Sequence, residues 1–239
     1  MKAMILAAGF GTRLKPFTDK HPKALANVNG KTLLQRNIEY LAGFGIHDII
    51  INIHHFSDQV RSLLKENKGF GSDITISDES EGVLETGGGL KKAAWFFTNE
   101  VEPFVVMNVD VLTDMDLSEM IEQHNFIQPL ATLAVTTRHT SRYFLFDEIP
   151  NLCGWKNTNT GEQRISREAS QFFEKAFSGI HIMSPEIFPL IKMKGKFSMV
   201  DVYLELAKNH AISAYDHSNT KFIDVGKPES ILKAEKLFF

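Results

Sequence analysis

The sequence LAAGFGTRLKPFTDKHPK, residues 6–23, continues a short apolar run that starts at Ala3. The run is brief, almost uncharged and ended by glycine, so it predicts a buried first strand. The loop after such a strand is where open α/β sheets bind ligands. Gly9 and Gly11 allow backbone N–H groups to approach an anion, and Arg13 and Lys23 add positive charge. The segment therefore predicts a phosphate site, although any tight turn between a strand and a helix would also use two glycines.

The pattern beyond this loop alternates between strands and helices, which predicts an α/β fold with a mostly parallel sheet. In the first half we predict helices over 32–44, over 57–66 with Ser57 as N-cap, and from the glycines at 87–89 to 97, with strands over 48–53, 74–77 and 104–107. In the second half we predict helices over 117–125, over 198–209 with Ser198 as N-cap, and from 228, with strands over 131–137, 177–183 and 221–225. No linker interrupts the pattern, which predicts one domain over residues 1–239. Residues 141–167 form an irregular insertion of hairpins or loops, expected on the substrate side.

Composition excludes several classes of protein. A net charge of −3 over 239 residues provides no basic field for nucleic acid. The single cysteine, Cys153, excludes an intrachain disulfide framework. No run of eighteen apolar residues or basic leader is present, so we expect a cytoplasmic protein without a membrane partner.

Two aspartates lie at or just after the ends of predicted strands. Asp110 comes shortly after the strand over 104–107, and Asp224 precedes a glycine turn at Gly226. An aspartate at the end of a strand often only caps a helix or forms a turn. Two of them at one sheet edge can instead bind one Mg²⁺ and leave its other positions for phosphates and water.

Three consecutive glycines, Gly87 to Gly89, occur in the sequence LETGGG at 84–89. Each glycine costs a helix interior roughly 1 kcal/mol relative to alanine, so helix propensity does not explain them. They indicate either a flexible hinge or a bare stretch of backbone on which a base or ribose lies.

Together these motifs resemble the sugar-1-phosphate nucleotidyltransferases. The resemblance rests on five segments in the family's order: the Gly-x-Gly-Thr-Arg-Leu loop with its Pro-Lys pair, LETGGG, Asn108 to Asp110, Phe177 to Ile180, and Asp224 to Gly226. The glycine triplet is most similar to that of the N-acetylmuramate-1-phosphate uridylyltransferases. The resemblance implies a Rossmann-like three-layer fold with a mostly parallel central sheet.

The resemblance also implies roles for particular residues. Arg13 and Lys23 would be catalytic, Asn108 and Gly179 would bind the sugar phosphate, and Asp110 and Asp224 would hold Mg²⁺. The residues implied in nucleotide binding are Ala7, Ala8, Gly9, Gly11, Thr12, Glu81, Gly87 and Gly88. The substrates would be an NTP, first UTP, and a sugar 1-phosphate, first N-acetylmuramate 1-phosphate, as in peptidoglycan recycling. We expect a monomer or a small homo-oligomer.

Two departures from the family pattern leave alternatives open. The usual Asn-Gly-Asp has Val109 at its centre, and the acidic residue often found two positions before the leucine of the base-binding segment is Gly82, with Glu81 before it. The alternatives are a mannose-1-phosphate guanylyltransferase, a glucose-1-phosphate thymidylyl- or uridylyltransferase, and a phosphocholine cytidylyltransferase. A non-catalytic nucleotide-sugar sensor and a dinucleotide-dependent oxidoreductase are alternatives from other classes. The missing third glycine of the dinucleotide fingerprint disfavours the last.

Overall fold

A computed structural model of the chain describes residues 1–98 and 101–238. The strands are β1 (Lys2–Leu6), β2 (Asn27–Val28), β3 (Lys31–Thr32), β4 (Asp48–Ile53), β5 (Asp73–Asp78), β6 (Phe104–Asn108), β7 (Val111–Thr113), β8 (Ala131–Thr136), β9 (Arg142–Phe146), β10 (Leu152–Asn157), β11 (Gln163–Ile165), β12 (Phe173–Met183), β13 (Ile212–Asp216) and β14 (Phe222–Asp224). The helices are α1 (Leu33–Gly43), α2 (Ser57–Glu66), α3 (Glu85–Lys92), α4 (Leu117–Ile127), α5 (Ile187–Leu190), α6 (Met199–Leu206) and α7 (Pro228–Leu237).

The central sheet confirms the predicted α/β fold with a mostly parallel core. Its main path runs β11-β10-β9-β12-β6-β1-β4-β5, and β8 pairs with both β12 and β13. Strands β6, β1, β4 and β5 are parallel neighbours. Leu6 lies opposite both Asn52 and Asn108 in this register. The carboxyl ends of three adjacent strands therefore meet at one edge of the sheet.

Helices cover both faces of these strands. Successive side chains of a strand point to opposite faces, and in β1 Met4 and Ile5 belong to different core clusters. One cluster contains residues of α3 and α6, and the other contains residues of α1, α2 and α4. The sheet therefore lies between two layers of helices, which is the three-layer arrangement that the family resemblance implied.

The insertion over residues 141–167 consists of antiparallel hairpins. The sequence predicted either hairpins or loops for this segment. Strand β10 pairs with β9 on one side and with β11 on the other. Strand β12 follows and is antiparallel to β6, β8 and β9, with a register shift between Phe177 and His181. Gly179 lies inside this bulge and has a φ of 75°.

Two local predictions are wrong. Ser57 begins α2 itself, and the N-cap is Phe56, in the left-handed region at a φ of 55°. The glycine triplet lies inside α3, which begins at Glu85, so it is neither a hinge nor a loop before the helix. Ser198 does cap α6, because its side chain accepts a hydrogen bond from the Asp201 N–H. Across the described residues, none of the helices is long and apolar enough to cross a membrane.

Candidate functional site

A cleft of about 420 Å³ opens at the carboxyl edge of the parallel strands. The glycine-rich loop contributes Ala7, Ala8, Gly9, Gly11, Thr12 and Arg13 to its lining. Lys23, Asn108 and Asp110 also line the cleft, as do Leu6, Asn52, Glu79, Val83, Glu85, Thr86, Val109, Ser198 and Gly226. The structure therefore brings most of the predicted phosphate-binding residues into one cavity of a size typical for small-molecule sites.

Gly11 allows the loop to fold back onto Lys23. Its φ is 62°, a conformation that residues with a side chain rarely adopt. A Cβ on Gly11 would lie 2.9 Å from the Thr18 Cγ2 and 3.0 Å from the Lys23 Cβ. The Thr18 hydroxyl donates a 3.0 Å hydrogen bond to the Gly11 carbonyl and holds this turn closed. The missing side chain thus lets Lys23 approach the loop that it follows in sequence.

A two-stranded ladder brings the two predicted metal ligands together. Strand β14 pairs antiparallel with β7, with Asp224 opposite Val111. The Val225 N–H donates a 2.8 Å hydrogen bond to the Asp110 carbonyl. Asp110 and Asp224 are separated by more than a hundred residues in the sequence. This pairing nevertheless makes them neighbours.

Positive charge surrounds the two carboxylates. The Lys23 ammonium forms an ion pair with the Asp110 carboxylate, and both side chains are largely buried. A Cβ on Gly226 would lie 2.6 Å from the Asp224 Oδ1 and 2.9 Å from the Arg13 Nη2, so the Arg13 guanidinium reaches the same turn as Asp224. Burial and the neighbouring Asp110 carboxylate raise the pKa of Asp224, and the charges of Lys23 and Arg13 oppose this shift only in part.

The donor set at this point fits a hard divalent cation. The Asp224 Oδ1 is buried and has no hydrogen-bond partner, and such an atom is costly unless something binds it. Nowhere in residues 1–98 and 101–238 do three or more His, Cys, Asp or Glu side chains form a metal-binding group. Two carboxylates with open positions suit Mg²⁺, which usually binds one or two carboxylates together with water and substrate phosphates.

Asn108 and Gly179, the predicted sugar-phosphate residues, are in direct contact. A Cβ on Gly179 would lie 2.7 Å from the Asn108 Nδ2. The preceding residue, Ser178, is buried and shares a 2.7 Å hydrogen bond with the His217 Nε2. Burial lowers the pKa of His217 to about 4, so the ring is neutral near pH 7. These contacts fix the β12 bulge beside the end of β6.

A buried polar network on the other side of the cleft was not evident from the sequence. The Asn52 Oδ1 accepts a 2.7 Å hydrogen bond from the Ala7 N–H, and its Nδ2 donates a 2.7 Å bond to Glu79. The other Glu79 carboxylate oxygen accepts a 3.1 Å bond from the Leu84 N–H. This network ties the start of the glycine-rich loop to β4 and β5. The feature of the sequence that could have indicated this network is Asn52, a polar residue in the otherwise apolar second half of a strand.

Three predicted nucleotide-binding residues do not line the cleft. Glu81 is exposed outside it, and Gly87 and Gly88 are buried inside α3. The glycines permit close packing instead: a Cβ on Gly87 would lie 2.5 Å from the Phe197 ring, and one on Gly88 would overlap the Gly195 carbonyl oxygen. Gly89 likewise allows α3 to pack closely against the side chains of Glu79 and Asn52. The triplet is therefore explained by the approach of α3 to its neighbours.

Known proteins are similar to this chain over most of its length. Residues 2–145 match a family model described as nucleotidyl transferase. The chain is 30% identical over 236 residues to mannose-1-phosphate guanyltransferase beta-A of Xenopus laevis, covering 97% of this chain and 63% of the relative. It is 28% identical over 240 residues to mannose-1-phosphate guanyltransferase of Yarrowia lipolytica, covering 100% of this chain and 64% of the relative. The chain thus spans slightly less than two thirds of the length of these curated relatives.

Solved structures share the fold over almost their full length. The crystal structure of HddC from Yersinia pseudotuberculosis superposes with a TM-score of 0.77 at 25% identity, covering 100% of this chain and 99% of the other. A putative glucose-1-phosphate thymidylyltransferase from Bacillus anthracis, solved in complex with a sucrose, has a TM-score of 0.80 at 22% identity, covering 99% and 94%. The second likeness concerns the fold alone.

Proposed function

The chain belongs to the nucleotidyl transferase family, and we propose that it transfers a nucleotidyl group from an NTP to a sugar 1-phosphate and releases pyrophosphate. One observation carries this proposal: the Asp224 Oδ1 is buried without a partner beside Asp110, within reach of the charges of Lys23 and Arg13. A site that concentrates two carboxylates and two cations at the end of a glycine-rich loop suits phosphoryl chemistry.

The transfer needs no nucleophilic side chain. A phosphate oxygen of the sugar 1-phosphate attacks the α-phosphorus of the NTP, and the bond from that phosphorus to the bridging oxygen of the leaving pyrophosphate breaks. The attacking oxygen is already an anion, so the protein's contribution is to position the reactants and to stabilise charge. Lys23 would leave its pair with Asp110 to stabilise the α-phosphate, and Arg13 would bind the departing pyrophosphate.

Asp110 and Asp224 would hold Mg²⁺ when it is bound, and the ion would supply charge neutralisation at the phosphates. The Asn52 and Glu79 network would keep the Ala7 N–H and the glycine-rich loop in position for the triphosphate. Asn108 and Gly179 would orient the acceptor. A cytoplasmic location, the absence of a nucleic-acid partner and a monomer or small homo-oligomer remain predictions.

GTP and mannose 1-phosphate form the first substrate pair that we propose, because the curated relatives are named mannose-1-phosphate guanyltransferases. UTP with N-acetylmuramate 1-phosphate, in peptidoglycan recycling, is the second pair, and the LETGGG motif at 84–89 favours it. The motifs shared across the family contact phosphate and backbone, so they do not separate these pairs.

Pyrophosphate release with each of the four NTPs, a panel of sugar 1-phosphates and Mg²⁺ tests the proposal. We expect one pair to be preferred, and Asp110→Asn and Asp224→Asn to abolish turnover. Glu122→Gln, which neutralises an exposed carboxylate on α4, serves as the control. Near-normal turnover in both aspartate variants, or none with any pair in the unmodified protein, would reject the assignment.

Stability supplies an independent measurement of the same site. Without metal, Asp224→Asn should raise Tm, because it removes a buried charge whose pKa is already raised. The unmodified protein should gain Tm on addition of Mg²⁺, and the variant should lose that gain. An equal Mg²⁺ response in both proteins would show that Asp224 holds no metal.

A further inference from the structure

Arg138 lies just beyond the end of β8, at a position where its burial is costly. The residue is partly buried, and its Nε is buried without a hydrogen-bond partner among the described residues. Burial lowers the pKa of Arg138, and the charge of the Asp224 carboxylate opposes this shift. A buried donor without a partner destabilises the folded state. Packing alone therefore does not explain an arginine at this position.

The guanidinium of Arg138 joins two strands that belong to different sheets. Its Nη2 donates a 2.8 Å hydrogen bond to the Phe177 carbonyl in β12, a strand of the central sheet. The same guanidinium lies over the Phe222 ring in β14, 5.0 Å from the ring centroid. Strand β14 belongs to the two-stranded sheet that it forms with β7. Arg138 is thus a bridge between the central sheet and this small sheet.

Each end of this bridge lies close to a residue of the candidate site. In β12, Phe177 is the residue at which the bulge begins, and Gly179 follows it inside the bulge, against the Asn108 side chain. In β14, Phe222 is followed by Asp224, the strand's last residue. The guanidinium therefore connects the acceptor side of the cleft to one of the two metal carboxylates.

His217 makes a second connection between the same two segments. Its Nε2 shares a hydrogen bond with the buried hydroxyl of Ser178 in the bulge, and its ring packs edge-on against Phe222 at a centroid distance of 5.7 Å. The two strands therefore stay connected when Arg138 is replaced. For this reason we expect variants of Arg138 to fold, and to differ in the precision of the site.

We propose that Arg138 is a positioning residue that fixes the acceptor-side bulge relative to Asp224. The inference rests on the proposed function. Direct attack of one bound substrate on another requires that the reacting atoms are held in line at close range, and small displacements are costly. Arg138 lies outside the lining of the cleft, so it acts through β12 and β14 and not by touching a substrate.

Steady-state kinetics and equilibrium NTP binding together test this inference. Arg138→Met keeps an unbranched apolar side chain but removes the charge and the donors. It should lower kcat/KM for the sugar 1-phosphate by about tenfold or more, and leave the Kd of the NTP with Mg²⁺ within about twofold. A merely structural role would change Tm and leave kcat/KM unaltered at a temperature well below Tm. If Arg138→Met does not fold, Arg138→Lys replaces it with the same expectation, because an ammonium does not reproduce the planar guanidinium.

A double-mutant cycle tests whether the bridge itself carries the effect. Phe222→Leu alone should lower kcat/KM by about two- to fivefold, because it removes the ring under the guanidinium. Added to Arg138→Met, it should cause no further loss, since the contact is already absent. Independent effects of the two substitutions would contradict the bridge.

The matched control is Arg167→Met, the same change at an exposed arginine, which should leave the kinetics unaltered. Unaltered kcat/KM in Arg138→Met, or an equal loss in NTP affinity, would overturn the inference and leave nucleotidyl transfer intact. If the unmodified protein turns over no substrate pair, the proposed function fails, and NMR spectra of the ¹⁵N-labelled protein decide the bridge separately. The amide signals of Gly179 and Asp224 should then both shift in Arg138→Met and in neither case in the control, and a shift of only one would refute the connection.

Discussion

Gly88 offers a direct test of the packing that forms one wall of the cleft. Alanine at an ordinary interior helix position stabilises by about 1 kcal/mol relative to glycine. At Gly88 the added Cβ would overlap the Gly195 carbonyl oxygen and lie 3.0 Å from the Leu84 Cβ. A backbone oxygen has no rotamer by which to move away, so we expect the upper part of the range of about 1–3 kcal/mol for overpacking.

The net effect of Gly88→Ala is then a loss of about 1–2 kcal/mol in the free energy of unfolding. For a chain of this length that loss corresponds to a Tm lower by about 2–8 °C. The matched control is Gly43→Ala at the end of α1, where an added Cβ meets nothing within 4 Å. It should raise Tm by a few degrees or leave it unchanged. Thermal and urea denaturation of both variants measures the difference, and a rise in Tm for Gly88→Ala would refute the packing explanation.

Three further predictions concern the site and its supports. Lys23→Met should lower kcat by about 100–1,000-fold, because it removes charge stabilisation at the α-phosphate. It should also lower Tm, because the largely buried Asp110 carboxylate loses its partner. Single-turnover pyrophosphate release measures the kinetic effect, and a change in KM alone would contradict it. Gly179→Ala should lower kcat/KM for the sugar 1-phosphate by about 10–100-fold, because the added Cβ would lie 2.7 Å from the Asn108 Nδ2 and the φ of this residue is 75°. An equal loss in affinity for NTP, measured by binding, would argue against an acceptor-side role. Burial lowers the pKa of His181 to about 3, below its value near 6.5 in the unfolded chain. The folded state therefore binds fewer protons than the unfolded state, and stability is lost as pH falls from about 6.5 toward 3. The urea midpoint of His181→Gln should therefore depend less on pH between 6.5 and 4.5, and an unchanged slope would exclude His181 as a cause of acid sensitivity.

The order of elements was predictable from the sequence because it depends on local patterns. Short apolar runs, glycine stops and helical spacing in a few consecutive residues predicted the strands over 48–53 and 104–107 and the helices that cover them. The glycine-rich loop and the two aspartates were identifiable because chemical type and position after a strand are themselves local properties. The match of residues 2–145 to the nucleotidyl transferase family covers the glycine-rich loop and Asp110.

Tertiary structure decided the features that depend on contacts between distant residues. Asp110 and Asp224 became neighbours only through the pairing of β7 with β14, and only in the folded chain is the Asp224 Oδ1 buried without a hydrogen-bond partner. The glycine triplet looked like a loop because its propensity opposes a helix, yet packing against Phe197 and Gly195 outweighs propensity. The left-handed φ of 60° at Glu85, the first residue of α3, was likewise not evident from the sequence, because the hydrogen bonds that hold the backbone around it involve residues 197–199. The chemical type of each residue is known from the sequence, whereas proximity and burial arise only when the chain folds.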